Sequence, residues 1–161
     1  MGHCSQEKKK LTEELGVFFE KRHELPPLAA RMYALLILTG TEGYLFEELK
    51  EITQASKSSI STNLNLLTSL KFIEYYTVTG NRKRYFRSSG SYITNILKEH
   101  FDAIAQELIL VQKVNEFKRD YQPSKYIEKS YLGTIYQNHL EASKRTIEDT
   151  LGKIQVFQDN H

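Results

Sequence analysis

Two short segments of the chain carry the residue types that bind phosphates and base edges. Between Ala55 and Gly90 there are six basic residues and one acidic residue, a net charge of +5, whereas the whole chain carries +2. Three of these cations are consecutive, at Arg82, Lys83 and Arg84. Basic side chains gathered in one segment are typical of a surface that neutralises phosphates, so we expect the chain to bind double-stranded DNA.

The first segment, residues 57–69, predicts a helix with one apolar face and one small polar face. Ile60, Leu64 and Leu67 recur at helical spacing, and Ser56 is a suitable N-cap. At about 100° per residue, the opposite face holds small hydrogen-bonding side chains: Ser58, Ser61, Thr62, Asn65 and Ser69. Such side chains can meet base edges and phosphates at close range. An ordinary solvated face would hold more Lys and Glu, which have higher helix propensity, so contact with DNA is favoured.

The second segment predicts a β-hairpin with a basic tip. Residues 73–79 are rich in β-branched and aromatic side chains, Gly80-Asn81 is a two-residue turn signal, and residues 82–87 form the returning strand. We expect Arg82 to enter a minor groove and the two cations that follow it to contact phosphates. A charged edge strand that avoids aggregation is the alternative, but three cations without a local acid favour DNA contact.

Helical periodicity predicts the elements that position these segments. A first helix is expected over residues 6–22, and Pro26-Pro27 opens a second helix that ends at Gly40. A short third helix spans Leu45 to Ile52. The expected fold is mainly α with a small β-hairpin wing: a winged helix-turn-helix with long N- and C-terminal dimerisation helices.

From Ser91 onward the pattern is helical to the end, with an interruption at Pro123. The first of these helices carries an apolar stripe: Leu97, Phe101, Ile104, Leu108, Val111, Val114 and Phe117. Pairing of the two helices within one chain is one explanation, and pairing with a second chain, which a reader of DNA half-sites needs, is the favoured one. We therefore expect residues 24–90 to form the DNA-binding domain, and residues 6–22 and 91–158 to form a helical dimerisation region.

Three stretches of sequence resemble the MarR superfamily, most closely its branch of glycine betaine synthesis (GbsR-like) regulators. They are FEELKEI from Phe46, SKSSISTNLNLL from Ser56 and GNRKRYF from Gly80, and the resemblance covers roughly residues 11–117. It implies a winged-helix homodimer that acts as a transcriptional repressor and is released by a small ligand. The two recognition helices of such a dimer would match a near-palindromic operator. The residues expected to touch DNA are Lys57, Ser58, Ser59, Ser61, Thr62, Asn65, Arg82, Lys83 and Arg84.

The sequence predicts neither an enzyme nor a metal or cofactor site. The five histidines have no ligand-like spacing, and there is no Gly-rich phosphate loop, GxSxG elbow or HExxH helix. No apolar run is long enough to span a bilayer, and we expect a cytoplasmic protein with no membrane partner. A winged-helix module that serves only protein assembly is the alternative function. It would predict an acidic or apolar wing, so the Arg-Lys-Arg run disfavours it.

A group of tyrosines raises one hypothesis about a small-molecule effector. The group consists of Tyr92, Tyr121, Tyr126, Tyr131 and Tyr136. Aromatic rings can enclose a quaternary ammonium ion, so these residues suggest a cage for a choline-like ligand. Tyrosines at helical spacing are more often interface residues, which is the other interpretation.

Overall fold

The computed structural model describes residues 2–40, 42–80, 82–126 and 131–160, with side chains from residue 6 onward. They form two compact units, Met1–Tyr92 and Ile93–His161. A single 3-10 turn, Pro123–Lys125, lies between the last two helices. In chain order the other elements are α1 (Gly2–His23), α2 (Pro27–Thr39), β1 (Tyr44–Leu45), α3 (Phe46–Thr53), α4 (Lys57–Ser69), β2 (Ile73–Thr77), β3 (Arg84–Ser88), α5 (Ser91–Tyr121) and α6 (Leu132–Asp159).

The first unit is built around α2. This helix begins at Pro27, because the first residue of a helix needs no backbone N–H for a hydrogen bond within the helix. It ends at Gly40, whose φ is +74°. Its residues are buried on nearly every side, and they pack against apolar side chains from the neighbouring helices and the sheet. The main contributors from outside α2 are Phe19, Leu25, Leu49, Ile60, Leu64, Leu67, Ile73 and Phe86.

Helix α1 packs on α2 with only some of its large apolar side chains. Phe19 is buried, but Leu11 and Phe18 are exposed, and Thr12 takes a buried position. The Thr12 hydroxyl is satisfied there because it donates to the carbonyl of Lys8 at 2.7 Å. Part of the apolar stripe in α1 therefore faces away from the core of its own unit.

A charged contact also ties α1 to α2. Arg31 Nε donates to Glu13 at 2.9 Å, and Arg31 Nη1 donates to Glu20. Gly16 lies between these two carboxylates along α1, and a Cβ there would stand 2.9 Å from Arg31 Cγ. The arginine stem thus lies against α1 at a position where glycine leaves room for it.

The sheet has three antiparallel strands in the order β1-β3-β2, one more than the hairpin alone supplies. The additional strand is β1, where Tyr44 pairs with Phe86 and Leu45 with Tyr85. A strand of two residues is too short to show an alternation of apolar and polar side chains, so the sequence predicted no strand before α3. The fold class is confirmed: a mainly helical chain with a small antiparallel sheet, whose hairpin forms the wing.

The wing is less regular at its tip than expected. Thr77 pairs with Arg84, the register that a turn centred on Gly80-Asn81 requires, but the ladder stops there. Residues 78–83 therefore form the tip, of which Asn81 lies outside the described residues. The sequence predicted that the first strand ends at Thr79 and that the second begins at Arg82. Both predicted positions are two residues too far towards the tip, because residues with high β-propensity continue past the last hydrogen-bonded pair.

The second unit consists of α6 and most of α5, which contact each other within the chain. Asn115 Nδ2 donates to Gln137 Oε1 at 2.9 Å, and the Tyr136 hydroxyl donates to Glu107 at 2.7 Å. Leu108 on α5 and Leu140 on α6 are buried. Pairing within one chain, the alternative considered for these helices, therefore does occur.

The pairing leaves one predicted part of the α5 stripe uncovered. Val114 and Phe117 were expected to continue the buried stripe, but the polar Asn115 takes the buried position between them. Of the helices in the described part of the chain, none is long and apolar enough to cross a membrane. The described residues also hold no cluster of three or more His, Cys, Asp or Glu suited to a metal ion.

Candidate nucleic-acid interface

Helix α4 is positioned by its cap and by its apolar face. Ser56 Oγ accepts a 3.1 Å hydrogen bond from the backbone N–H of Ser59, which satisfies one donor at the helix start. On one side of the helix, Ile60, Leu64 and Leu67 are buried in the core of the first unit. The opposite side must therefore face outward, because side chains three and four residues apart share a face.

The turn between α3 and α4 depends on a left-handed residue that is not glycine. Gln54 has φ +55°, and its side-chain Nε2 donates to the carbonyl of Glu51 at 2.6 Å. A local hydrogen bond of this kind offsets part of the strain of the left-handed conformation. The two helices of the motif thus join at residues 54–56 without the small residue that such a turn favours.

The outward face of α4 is small and polar, as predicted. Its exposed members include five of the residues expected to contact DNA: Lys57, Ser58, Ser61, Thr62 and Asn65. Ser59 differs from them because it is half-buried and both its backbone N–H and its Oγ are within hydrogen-bond distance of Ser56 Oγ. The structure therefore assigns Ser59 a place in the cap, and its expected contact with DNA stays a prediction.

The basic residues of the wing lie in three places: in the tip and on each of the two faces of the sheet. Arg82 and Lys83 are exposed in the tip, while Arg84 begins β3. The guanidinium carbon of Arg84 lies 4.6 Å from the centre of the Tyr75 ring. Arg87 is on the other face, where its Nε donates to Glu74 at 2.7 Å. The predicted contacts of Arg82, Lys83 and Arg84 with DNA remain predictions.

A concavity of about 560 Å³ lies between α4 and the wing. Ser61, Asn65 and Thr68 line it from α4, and Tyr75 lines it from the sheet together with the three consecutive cations of the wing. The carboxylate-bearing Glu47 also lines it, from the first turn of α3. The predicted residues of the two segments are therefore brought to one surface of the first unit.

Thr68 and Tyr75 were not among the predicted site residues. Thr68 follows Asn65 at a spacing of three, which places both on one helix face, so helical periodicity could have found it. Its hydroxyl donates to Leu64 O at 2.8 Å, and that proton is not offered to a ligand. Tyr75 could not have been found from spacing alone, because its approach to Arg84 depends on the register of two strands.

Among the tyrosines of the suggested cage, two are in contact with each other, and the cage itself stays a prediction. Tyr126 and Tyr131 are in ring contact, with centroids 5.2 Å apart, and Lys118 Nζ lies 5.0 Å from the Tyr131 centroid. The chain's own ammonium thus occupies one place where a ligand cation would sit. Tyr92 belongs to an aromatic cluster of the first unit, where His23 Nε2 lies 2.9 Å from its hydroxyl.

A helix-turn-helix followed by a β-hairpin whose tip stands beside the second helix defines the winged helix-turn-helix class of fold. The chain is 35% identical over 94 residues to the HTH-type transcriptional regulator MmpR5 of Mycobacterium tuberculosis. The match covers 58% of this chain and 56% of MmpR5, so the chain spans little more than half the length of this curated relative. No family model matches the sequence.

Two kinds of solved structure are similar to this one. A crystal structure of a transcriptional regulator covers 96% of this chain and 97% of its own, with 24% identity and a TM-score of 0.51. A mutant of S. aureus MepR bound to an oligodeoxyribonucleotide covers 76% of this chain and 90% of its own, with 16% identity and a TM-score of 0.43. The first of these supports the winged-helix fold over nearly the whole chain.

Proposed function

We propose that the chain is a sequence-specific DNA-binding transcriptional regulator. The observation that carries the proposal is the single surface on which α4 presents an exposed face of Ser, Thr and Asn beside the cations of the wing. In this function α4 enters a major groove, where Asn65 bonds a base edge, and Arg82 enters the adjacent minor groove. Lys83 and Arg84 neutralise phosphates. The similarity to MmpR5, an HTH-type transcriptional regulator, is in keeping with this role.

The proposal includes a homodimer. Four apolar side chains of α5 lie at spacings of four, three and four residues, and all are exposed: Leu110, Val114, Phe117 and Tyr121. Such spacing places them on one helix face, and an apolar stripe of this length is typical of a protein interface. The stripe supports the predicted dimerisation role of the C-terminal helices. The exposed Leu11 and Phe18 of α1 support the same role for the first helix.

We further propose that the dimer is a repressor that binds a near-palindromic operator and leaves it when a small ligand binds. This part follows from the resemblance of the helix-turn-helix and wing to MarR-type regulators, and the GbsR-like branch remains the proposed branch. A dimer with two equivalent recognition helices matches an operator with two equivalent half-sites.

DNA binding at several salt concentrations tests the function. Wild type should bind the promoter region beside its own gene and lose affinity steeply as salt rises. Arg82→Ala should weaken binding to all duplexes, whereas Asn65→Ala should reduce the preference for the operator over random duplex by about 1–3 kcal/mol. Asn138→Ala is the matched control, because it removes the same kind of side chain from an exposed position of α6, outside the helix-turn-helix and the wing.

The alternative function is protein assembly without DNA. It would be favoured if wild type bound neither the promoter nor random duplex in a salt-dependent way. The exposed apolar stripe on α5 would then be the surface to test against a protein partner.

A further inference from the structure

One arginine of the wing is held by an aromatic ring inside the concavity between α4 and the wing. Arg84 Cζ lies 4.6 Å from the centroid of Tyr75, within the range of a cation–π contact. Both residues line the concavity. They share a face of the sheet because Tyr75 pairs with the buried Phe86, two residues from Arg84 on the same strand. That face is the one covered by the core of the unit, which includes α4.

A DNA duplex has a sugar–phosphate strand between each major groove and the adjacent minor groove. If α4 occupies one groove and the tip of the wing the other, the intervening strand must pass through the concavity between them. The concavity presents the exposed hydroxyl of Ser61 and the guanidinium of Arg84, and both groups donate hydrogen bonds to phosphate oxygens.

We propose that Arg84 is a clamp for the phosphates of this intervening strand, and that Tyr75 is a positioning residue that acts through Arg84. The clamp presupposes the DNA-binding function proposed above. An arginine side chain loses conformational freedom when it binds a phosphate, and a ring that already orders the guanidinium reduces that loss. Tyr75 therefore raises affinity for DNA of any sequence without touching a base.

The other arginine of β3 shows why ring contact alone does not make a clamp. Arg87 Cζ lies 5.0 Å from the Tyr76 centroid, so it too has an aromatic neighbour. Its Nε, however, is hydrogen-bonded to Glu74 at 2.7 Å, and the pair lies on the sheet face opposite Tyr75. An arginine whose charge is already neutralised by a carboxylate displaces few counterions from DNA when the protein binds.

A double-mutant cycle on the full chain tests the clamp, with fluorescence anisotropy of a labelled random duplex over a range of salt concentrations. Arg84→Ala should lower affinity about tenfold or more and reduce the salt slope by about 1. Tyr75→Leu keeps an apolar side chain but removes the ring, so affinity should fall about twofold to fivefold. Tyr75→Phe keeps the ring and should bind like wild type. In an Arg84→Ala background, Tyr75→Leu should have no further effect, because its action passes through the guanidinium.

The double variant Glu74→Gln/Arg87→Ala is the control, since it removes the other arginine of β3 together with its compensating carboxylate and should leave affinity nearly unchanged. Equal losses from Tyr75→Leu with and without Arg84 would overturn the clamp, because they would indicate general damage to the wing. Wild-type affinity in Tyr75→Leu would also overturn it while leaving the DNA-binding function intact. If wild type itself shows no salt-sensitive binding, the function and the clamp both fail.

Discussion

Arg87 and Glu74 lie on paired strands of the wing, and Arg87 Nε donates a 2.7 Å hydrogen bond to the Glu74 carboxylate. Glu74 is the one acidic residue between Ala55 and Gly90, and its partner is the basic residue of the wing farthest from the tip. The one carboxylate that the sequence places within the wing is therefore hydrogen-bonded to an arginine of the paired strand.

The first prediction concerns the charge of this pair. Glu74→Gln should raise affinity for random duplex about twofold to fivefold and steepen its salt dependence, because a carboxylate near the phosphates is removed. Anisotropy titrations at low and high salt measure both effects. Glu116→Gln makes the same change in net charge on α5 and should have a smaller effect. Equal gains from both variants would mean that net charge, rather than the wing, determines affinity.

The second prediction concerns the cap of α4. Ser56→Ala removes the acceptor of the Ser59 N–H and should lower the free energy of unfolding by about 1 kcal/mol. Ser69→Ala, at the other end of the same helix, removes a hydroxyl that does not cap it and should change stability little. Urea unfolding followed by circular dichroism measures both. An equal loss in the two variants would contradict the assigned role of Ser56.

The third prediction compares two glycines that share a positive φ. Gly43 has φ +68°, and a Cβ there would collide with the carbonyl oxygen of Phe86 on β3. Gly80 has φ +81° in the tip of the wing, and a Cβ there would meet nothing within 4 Å. Gly80→Ala should therefore cost about 1 kcal/mol for the backbone alone, whereas Gly43→Ala should cost several times more. Thermal unfolding that ranks them in the opposite order would disprove the close approach.

The fourth prediction is a pH dependence that arises from Tyr33. Burial raises the pKa of this tyrosine well above its ordinary value, and a hydrogen bond with Ser88 partly opposes the shift. Because the folded pKa is the higher one, the native state keeps the proton when the unfolded state begins to lose it at about pH 10. The stability contributed by neutral Tyr33 is thus complete below about pH 10 and falls above it, by up to about 1.4 kcal/mol per pH unit.

Tyr33→Phe removes this titration and supplies the comparison. Urea unfolding of the variant should show a shallower loss of stability between about pH 10 and pH 11 than wild type does. Parallel curves for wild type and Tyr33→Phe would exclude Tyr33 as the source.

The fifth prediction concerns the apolar stripe on α5. Leu110→Glu places a charge on the apolar stripe of the proposed dimer interface, where burial without a partner is costly. Sedimentation equilibrium should show a dimer for wild type and a shift towards monomer for the variant, with weaker binding to a two-half-site operator. Glu116→Lys, also exposed on α5 but outside the stripe, is the control. A wild-type monomer at all concentrations would refute the proposed dimer.

The features that the sequence predicted best depend on neighbours along the chain. The cap at Ser56, the buried row of Ile60, Leu64 and Leu67, and the stop at Gly40 all follow from spacing of a few residues. Each is determined by local geometry, so one sequence is enough to place it.

The features that were missed depend on contacts between distant residues. Strand β1 exists because Tyr44 meets Phe86, and the ring contact of Tyr75 with Arg84 exists because two strands pair in one register. On α5, an apolar stripe with steps of three and four could have been buried on either of two adjoining faces. Only the packing against α6, where Asn115 meets Gln137, decides between those faces.

The crossing of Arg31 over Gly16 has a consequence for how these positions can change during evolution. Arg31 reaches Glu13 and Glu20 on either side of the glycine, and any larger side chain at Gly16 would meet the arginine stem. A substitution at Gly16 is therefore tolerated where Arg31 has already become a shorter residue, and the two carboxylates then lose their shared partner. Relatives of this chain should accordingly show coupled changes at the four positions, inherited as a set.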